Sequence, residues 1–118
     1  MSKLLIWIPL LPPGINETYL IGNKHFYKSE KAKRWEEDAA YIIGSEAQEW
    51  EDKSEWYGIN ITLCNSNYDV DSSIKIVIDT ISRKLGFNDK RILKQCSEKV
   101  KSDEKGIMIE LYPIEVEF

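Results

Sequence analysis

Two stretches in the middle of the chain decide the fold: residues 59–64, Ile-Asn-Ile-Thr-Leu-Cys, and residues 74–85, Ile-Lys-Ile-Val-Ile-Asp-Thr-Ile-Ser-Arg-Lys-Leu. In the first stretch apolar residues alternate with polar ones, which predicts a strand with one buried face. In the second, apolar residues recur at steps of three and four, which predicts a helix. Gly86 follows at a position that favours a left-handed helix cap. A strand followed by a helix indicates a fold that contains both elements.

The segments on either side of this centre predict one more helix and four more strands. Strands are predicted over residues 4–10, 19–26, 92–100 and 107–116. Ser29 is predicted to cap a helix over residues 30–51, whose apolar stripe includes Trp35 and Trp50 as core or dimer-interface residues. The predicted order is ββαβαββ. We therefore expect an α+β fold with a mixed β-sheet and two helices, in a single domain over residues 1–118.

Composition limits the class of protein. The chain has 118 residues, of which 42% are hydrophobic and 31% are charged, as in a globular domain. The longest apolar run, residues 4–11, is too short to span a bilayer and lacks a signal-peptide cleavage site, so we expect an intracellular protein without a membrane segment. Cys64 and Cys96 belong to no zinc-binding pattern. Two buried free thiols are expected, with a disulfide between neighbouring strands as the alternative.

The charge distribution leaves room for an anionic partner. Sixteen Lys and Arg against twenty Asp and Glu give a formal net charge of -4. Residues 46–55 hold five acids and one base, so this run accounts for the whole excess and the rest of the chain is balanced. The bases gather in residues 24–34 and 83–94. A phosphate-binding face is therefore compatible with the acidic total.

The residues that suggest chemistry lie between the central strand and the second predicted helix. Asp69 and Asp71 are two residues apart, so on extended backbone they point to the same side, about 7 Å apart at the backbone. Such a pair suits Mg²⁺, which binds carboxylate oxygens. Lys75 lies four residues after Asp71 and four before Asp79, on one helical face. Asp89 follows the helix, and a chain reversal there is expected to bring it to the same sheet edge.

This set of residues has two interpretations. Three acids and a lysine are typical of metal-dependent phosphodiester hydrolysis, in which metal and lysine stabilise the negative charge of the transition state. In the structural interpretation, Asp71 or Ser72 caps the helix and Asp69 forms a turn. Lys75 then forms ion pairs along the helix, and Asp89 lies in a surface turn. On spacing alone, the structural interpretation is favoured.

Three motifs follow one another along the chain. Residues 12–19 read Pro-Pro-Gly-Ile-Asn-Glu-Thr-Tyr, residues 69–79 carry the pattern D-x-D-S-x-x-K-x-x-x-D, and residues 86–89 read Gly-Phe-Asn-Asp. In this order they resemble the RusA family of Holliday junction resolvases, with Ser72 where the family usually has asparagine. The resemblance covers most of the chain. It implies a dimeric, magnesium-dependent endonuclease that cuts four-way DNA junctions by paired, symmetric nicks.

The resemblance also implies roles for individual residues. Asp69, Asp71 and Asp89 would hold Mg²⁺, for which Mn²⁺ can substitute, and Lys75 would contact the scissile phosphate. Asp79 is expected to pair with Lys75. One set of polar and basic residues is expected to contact branched DNA: Asn16, Lys24, Lys28, Lys31, Lys33, Arg34, Lys90 and Arg91. The expected assembly is a homodimer, since a two-fold protein matches a two-fold DNA substrate. Relatives often occur in phages and prophages, so a phage or prophage origin agrees with the resemblance.

Two other functions stay open from the sequence. Residues 64–68 contain no base, whereas the family commonly carries an arginine-rich run immediately before its first aspartate. The first alternative is therefore a non-catalytic member of the same fold that binds branched DNA or a protein partner. The second alternative is a nuclease for flaps or other branched structures.

Overall fold

A computed structural model describes residues 3–14, 19–22, 25–67, 70 and 73–116 of the chain. Within these residues lie six strands: β1 Leu4–Ile8, β2 Tyr19–Gly22, β3 His25–Lys28, β4 Trp56–Cys64, β5 Ile92–Val100 and β6 Gly106–Ile114. They also contain two α-helices and a short 3₁₀ turn: α1 Glu30–Glu46, α2 Ile74–Leu85 and the turn Asp89–Arg91. The prediction of an α+β fold with a mixed sheet and two helices is confirmed.

Four strands form one mixed sheet in the order β1-β6-β4-β5. The central strand β4 pairs antiparallel with β6 on one side and parallel with β5 on the other. Parallel neighbours need a crossover connection, and α2 with the 3₁₀ turn supplies it between β4 and β5. The strand and helix that were read most directly from the sequence therefore form the centre of the fold.

The amino-terminal strands are arranged differently from the prediction. The predicted strand over residues 19–26 is two short strands, β2 and β3, which pair with each other in a separate two-stranded sheet. Gly22 precedes Asn23, and this dipeptide between two apolar runs is a turn signal that competes with strand periodicity. β1 instead pairs with β6, so the first and last described strands are neighbours.

β5 and β6 are consecutive in sequence, but β4 lies between them in the sheet. Residues 101–105, which join β5 to β6, are fixed to Asn65 just after β4. The Asn65 amide donates hydrogen bonds to the carbonyls of Ser102 and Glu104 at 2.5 and 3.0 Å and accepts one from the Ser102 N–H at 2.9 Å. Asn65 has a left-handed backbone conformation, with φ 62°, which asparagine tolerates better than most residues.

The helices cover one face of the four-stranded sheet. The core there comes from β1, β4, β6 and both helices. Its most buried side chains, at most 1% exposed, are Ile6, Ile8, Ile59, Ile61, Leu63, Ile107, Ile109, Leu111, Ala32, Ala39, Ile43, Val77 and Ile81. Ser29 caps α1 as predicted, because its hydroxyl accepts a hydrogen bond from the Ala32 N–H at 3.1 Å. The Trp35 indole donates to the Leu10 carbonyl at 3.0 Å and so ties α1 to the chain before the buried residues 12–14.

α1 is shorter than predicted. It ends at Glu46 rather than at residue 51, and Ala47 is its C-cap. Trp50 lies beyond the helix and packs against Tyr57 and Phe87, with ring centroids 5.9 and 6.2 Å away. Trp50 follows the apolar spacing of α1 in the sequence, but it belongs to an aromatic cluster between the start of β4 and the end of α2. Neither described helix has the length and apolarity needed to cross a bilayer.

In the described part of the chain, neither helix covers the opposite face of the sheet. Leu5 and Met108 on this face are 51% and 37% exposed. Cys96 is exposed and Cys64 is buried, and both are free thiols. The prediction of two buried thiols is therefore wrong for Cys96, because it lies on the edge strand β5. The disulfide alternative fails because Cys64 lies opposite Val100, four residues along β5 from Cys96.

Candidate functional site

The predicted acids belong to the connection between β4 and α2. Asp69, Asp71 and Ser72 lie outside the described residues. Val70, between the two acids, packs against the core. Ser73 occupies the N-cap position of α2. The chain around the acids is therefore held to the core at Val70 and joined to the helix at Ser73.

The first turn of α2 carries Lys75. Its ammonium lies 3.4 Å from Asp79 Oδ2, one turn further along the helix, so the predicted ion pair is confirmed. The Lys75 side chain is 66% exposed and that of Asp79 is 22% exposed. An exposed pair of this kind contributes little to stability. Breaking this pair is therefore expected to cost little.

The Ser73 hydroxyl is buried and has no hydrogen-bond partner among the described residues. Its side chain does not cap the first N–H groups of α2. Unpaired buried hydroxyls are uncommon in folded proteins, and N–H groups at a helix N-terminus favour negative charge. Both features make the start of α2 a suitable position for carboxylate or phosphate groups.

Asp89 lies beyond the other end of α2. It begins the 3₁₀ turn and is exposed. α2 has 12 residues and is about 18 Å long, so its length separates Asp89 from Lys75. The turn leads into Ile92, which pairs with Tyr57 near the start of β4. Tyr57 lies about 23 Å along the strand from Cys64, the last residue of β4. The expectation that a chain reversal returns Asp89 to the sheet edge near Lys75 is therefore wrong.

A groove of about 530 Å³ runs between α1 and α2. Its basic side chains come from β3, α1 and α2: Lys28, Lys33, Arg83 and Lys84. The Glu36 carboxylate joins two of them, at 2.9 Å from the Lys28 ammonium and 3.2 Å from the Arg83 guanidinium. Glu37 is the second acid of the lining, so four positive charges face two negative ones. The net positive lining favours phosphate groups.

Seven of the eight residues predicted to contact DNA fall into three groups. Two line the groove, namely Lys28 and Lys33, and three are exposed on α1 or the 3₁₀ turn, namely Lys31, Arg34 and Lys90. Two lie outside the described residues, namely Asn16 and Lys24. Arg83 and Lys84 were missed as members of the groove. The available signal was spacing, since Arg83 follows Asp79 by four residues and Lys75 by eight, on one side of the helix.

Arg91, the remaining predicted contact, is held by acceptors within the protein. Its Nη1 and Nη2 donate to Asp52 Oδ2 and Oδ1 at 2.7 and 2.6 Å, and its Nε donates to the Glu55 carbonyl at 3.0 Å. The guanidinium also lies over the rings of Tyr57 and Phe87. The hydrogen bonds from Arg91 lower the pKa of Asp52 below its ordinary value, against the raising effect of burial. Arg91 therefore has a structural function, and its contact with DNA stays a prediction.

In the part of the chain that the structure describes, no three His, Cys, Asp or Glu residues are grouped so as to hold a metal ion. Asp69 and Asp71 lie outside that part, so their binding of Mg²⁺ stays a prediction. No protein-family model matches the sequence, and no curated protein matches it. The candidate site of this α+β protein is therefore defined by its own residues: the connection between β4 and α2, and the basic groove along α2.

Proposed function

We propose that the protein is a magnesium-dependent, structure-specific endodeoxyribonuclease that resolves Holliday junctions in DNA recombination or repair. The observation that carries the proposal is the order of strand, acidic connection and helix. β4 ends at Cys64, Asp69 and Asp71 follow in the connection, and Lys75 stands in the first turn of α2. Two carboxylates and one ammonium thus fall within seven consecutive residues, 69–75. A DNA substrate places the proposed activity inside a cell, and it agrees with an origin in a phage or prophage.

The residues of the connection would divide the work of hydrolysis. Asp69 and Asp71 would hold Mg²⁺, which supplies a Lewis acid and lowers the pKa of bound water. Lys75 would bind a non-bridging phosphate oxygen and stabilise the negative charge added in the transition state. Asp79, 3.4 Å from Lys75, would hold the ammonium beside α2 until the phosphate arrives. The N–H groups at the start of α2 favour the same negative charge.

The groove between the helices supports binding of the DNA backbone. Lys28, Lys33, Arg83 and Lys84 bring positive charge along α2, the helix that also carries Lys75. Phosphate contacts of this kind supply much of the affinity for DNA and position the strand without reading its sequence. A homodimer would present two such surfaces, and each subunit would cut one of two symmetry-related strands.

Cleavage of a synthetic four-way junction tests the proposal. We expect symmetric nicks in Mg²⁺ or Mn²⁺ and none in a chelator. Asp71→Asn is expected to abolish nicking with an unchanged unfolding temperature, because an amide is a poor ligand for Mg²⁺. Asp103→Asn is the matched control, since Asp103 is exposed in the connection between β5 and β6. Nicking by Asp71→Asn at the wild-type rate would contradict the proposal.

A second candidate is a non-catalytic protein that binds branched DNA or a protein partner through the same fold. It is favoured by one observation: the helix groove is basic, but residues 64–68 before Asp69 contain no base. A gel shift of the junction at low salt, without products in either metal, would support this candidate. Faster cutting of flaps than of junctions would instead indicate the third function, a nuclease for other branched structures.

A further inference from the structure

Two of the four basic side chains in the groove between α1 and α2 are already paired with an acid. The Glu36 carboxylate lies 2.9 Å from the Lys28 ammonium and 3.2 Å from the Arg83 guanidinium. The Glu36 side chain is 13% exposed, and a carboxylate largely removed from water needs such partners. These three charges therefore link β3, α1 and α2, and a phosphate can bind Lys28 or Arg83 only in competition with Glu36.

The other two cations of the groove are less committed. The Lys33 ammonium lies 3.8 Å from Glu30, in a pair whose side chains are 55% and 86% exposed. A pair of this kind contributes little to stability. Lys84 is exposed, and among the described residues it forms no ion pair and no hydrogen bond. Lys33 and Lys84 are therefore the cations that a phosphate can meet without displacing Glu36.

The Lys84 side chain crosses α1 at Gly44. A Cβ atom on Gly44 would stand 2.8 Å from Lys84 Cε and 3.3 Å from Lys84 Nζ. Carbon atoms in non-bonded contact are about 3.5 to 4.0 Å apart, so any side chain at this position would displace the end of Lys84. Glycine is less favourable than alanine inside a helix, and Gly44 lies within α1. The bare backbone at Gly44 therefore gives the Lys84 ammonium a defined place at a cost to the helix.

The two ends of the groove differ in charge. The acids of the lining, Glu36 and Glu37, lie eight and seven residues before Gly44, about 10 to 12 Å along the axis of α1. Ala40, between them and Gly44, has a small apolar side chain. The Lys84 ammonium, beside Gly44, is therefore at the end of the groove away from both acids, where the positive charge of the lining is least neutralised.

We propose that Lys84, held over Gly44, is the main contact of the groove with a backbone phosphate of DNA, and that Gly44 is the positioning residue of this contact. The inference rests on the proposed function, because it takes DNA as the ligand. A side chain that is already held in one place loses less freedom when it binds. Lys33 supplies a second, exposed contact, whereas Lys28, Glu36 and Arg83 hold the walls of the groove together.

Fluorescence anisotropy of a labelled four-way junction, in a chelator and over a series of salt concentrations, tests the contact. Lys84→Met removes the charge and keeps an unbranched stem over Gly44. We expect its slope of log affinity against log salt to fall by about one, and its affinity at about 0.1 M salt to fall about fivefold to tenfold. Gly44→Ala keeps the charge and moves it, so we expect a loss of at least about twofold at the same salt. The double variant should bind no more weakly than Lys84→Met, because both changes remove the same contact.

Two control variants separate position from other effects. Ser45→Ala, at the next and exposed position of α1, favours the helix as Gly44→Ala does but does not meet Lys84. Gly44→Ala is expected to unfold at or above the wild-type temperature, so its weaker binding cannot come from unfolding. Arg83→Ala removes the same charge from the neighbouring position. Because Glu36 engages Arg83, the salt slope should fall less in Arg83→Ala than in Lys84→Met.

A structural role for Lys84 predicts a different result. A cation near the C-terminal end of a helix stabilises the helix, and Gly44 lies two residues before the end of α1. In that case Lys84→Met would lower the unfolding temperature and leave the salt slope unchanged, and the inference would be overturned. Wild-type binding by Gly44→Ala, or an equal decrease of the slope in Arg83→Ala and Lys84→Met, would overturn it as well.

Nicking of the same junction in Mg²⁺ separates this inference from the proposed function. If the variants bind as expected and the junction is never nicked, the phosphate contact is supported and the proposed endonuclease is overturned. If the junction is nicked and Gly44→Ala binds like the wild type, only the inference fails. A protein that binds no junction even at the lowest salt would overturn both.

Discussion

The Arg91 guanidinium and the Asp52 carboxylate meet in a bidentate ion pair, with nitrogen to oxygen distances of 2.7 and 2.6 Å. The Tyr57 hydroxyl donates to the same carboxylate at 2.5 Å. Burial and this hydrogen bond raise the pKa of Tyr57. Because Arg91 is the last residue before β5, the pair ties the edge strand to the segment that precedes β4.

Arg91→Lys is expected to destabilise the protein by about 1 kcal/mol, since lysine cannot donate two parallel hydrogen bonds to a carboxylate. Asp52→Asn is expected to cost a similar amount. The Arg91 and Asp52 side chains are 28% and 31% exposed, so water screens the pair. The expected loss of stability is therefore at the low end of the range for hydrogen bonds between charged groups. Urea denaturation of both variants and the double variant measures the coupling. Lys90→Ala, at an exposed neighbouring position, is the control, and additive losses would contradict the pairing.

The free energy of unfolding is expected to fall as the pH is lowered. This loss is expected to be smaller in the Asp52→Asn variant than in the wild type. Hydrogen bonds from Arg91 lower the pKa of Asp52 in the folded protein, so its ionised form favours folding. This contribution is complete above the ordinary pKa of an aspartate, about 4, and is lost as the pH falls through the lowered value. Glu110 acts in the same direction, since Lys3 and then Asn60 lower its pKa. Denaturation at several pH values should give a shallower acid slope for Asp52→Asn than for the wild type.

Asn65→Ala is expected to cost about 2 kcal/mol, because it removes the hydrogen bonds to Ser102 and Glu104 and leaves a residue that disfavours positive φ. Asn65→Gly keeps the backbone conformation and loses only the side chain, so about 1 kcal/mol is expected. The difference between the two variants isolates the backbone contribution. Thermal unfolding measures both, and an alanine variant as stable as the glycine variant would contradict the account.

Removing groove charges is expected to weaken junction binding in a salt-dependent way. Lys33→Ala and Lys84→Ala each remove one cation from the groove between the helices. If each contacts a phosphate, the slope of log affinity against log salt should fall by about one per contact. Fluorescence anisotropy of the labelled junction measures the slope. Lys105→Ala, in the connection after β5, should leave the slope unchanged. An equal decrease of the slope in Lys105→Ala would contradict a specific role of the groove in binding DNA phosphates.

The parts of the fold with complete local signals were predicted from the sequence. α2 ends at Leu85 with Gly86 in the left-handed conformation, φ 82°, as a glycine just beyond two basic residues of the last turn indicated. Ser29 caps α1 through the hydrogen bond that its position indicated. The alternation of residues 59–64 gave β4, because a strand with one covered face needs that pattern. Each of these features depends on residues close together in the chain.

The parts that were missed depend on contacts between distant residues. Trp50 continues the spacing of α1, but its ring packs on Tyr57 and Phe87 instead. Arg91 was grouped with the bases expected to contact DNA, whereas its partner Asp52 lies 39 residues away in the acidic run 46–55. The position of Asp89 follows from the parallel pairing of β4 and β5, and local spacing carries no information about strand direction.

The Asn65 side chain anchors the chain just before the connection that contains the acids. Asn65 is tied to residues 102 and 104, Val70 packs against the core, and Ser73 joins α2, so Asp69 and Asp71 stand a few residues from fixed points on either side. The entropy lost when a chain closes on an ion grows with the number of residues between its anchors. Lengthening residues 101–105 would weaken the hold on Asn65, so the proposed Mg²⁺ site would lose one of its two anchors without a change in any proposed ligand.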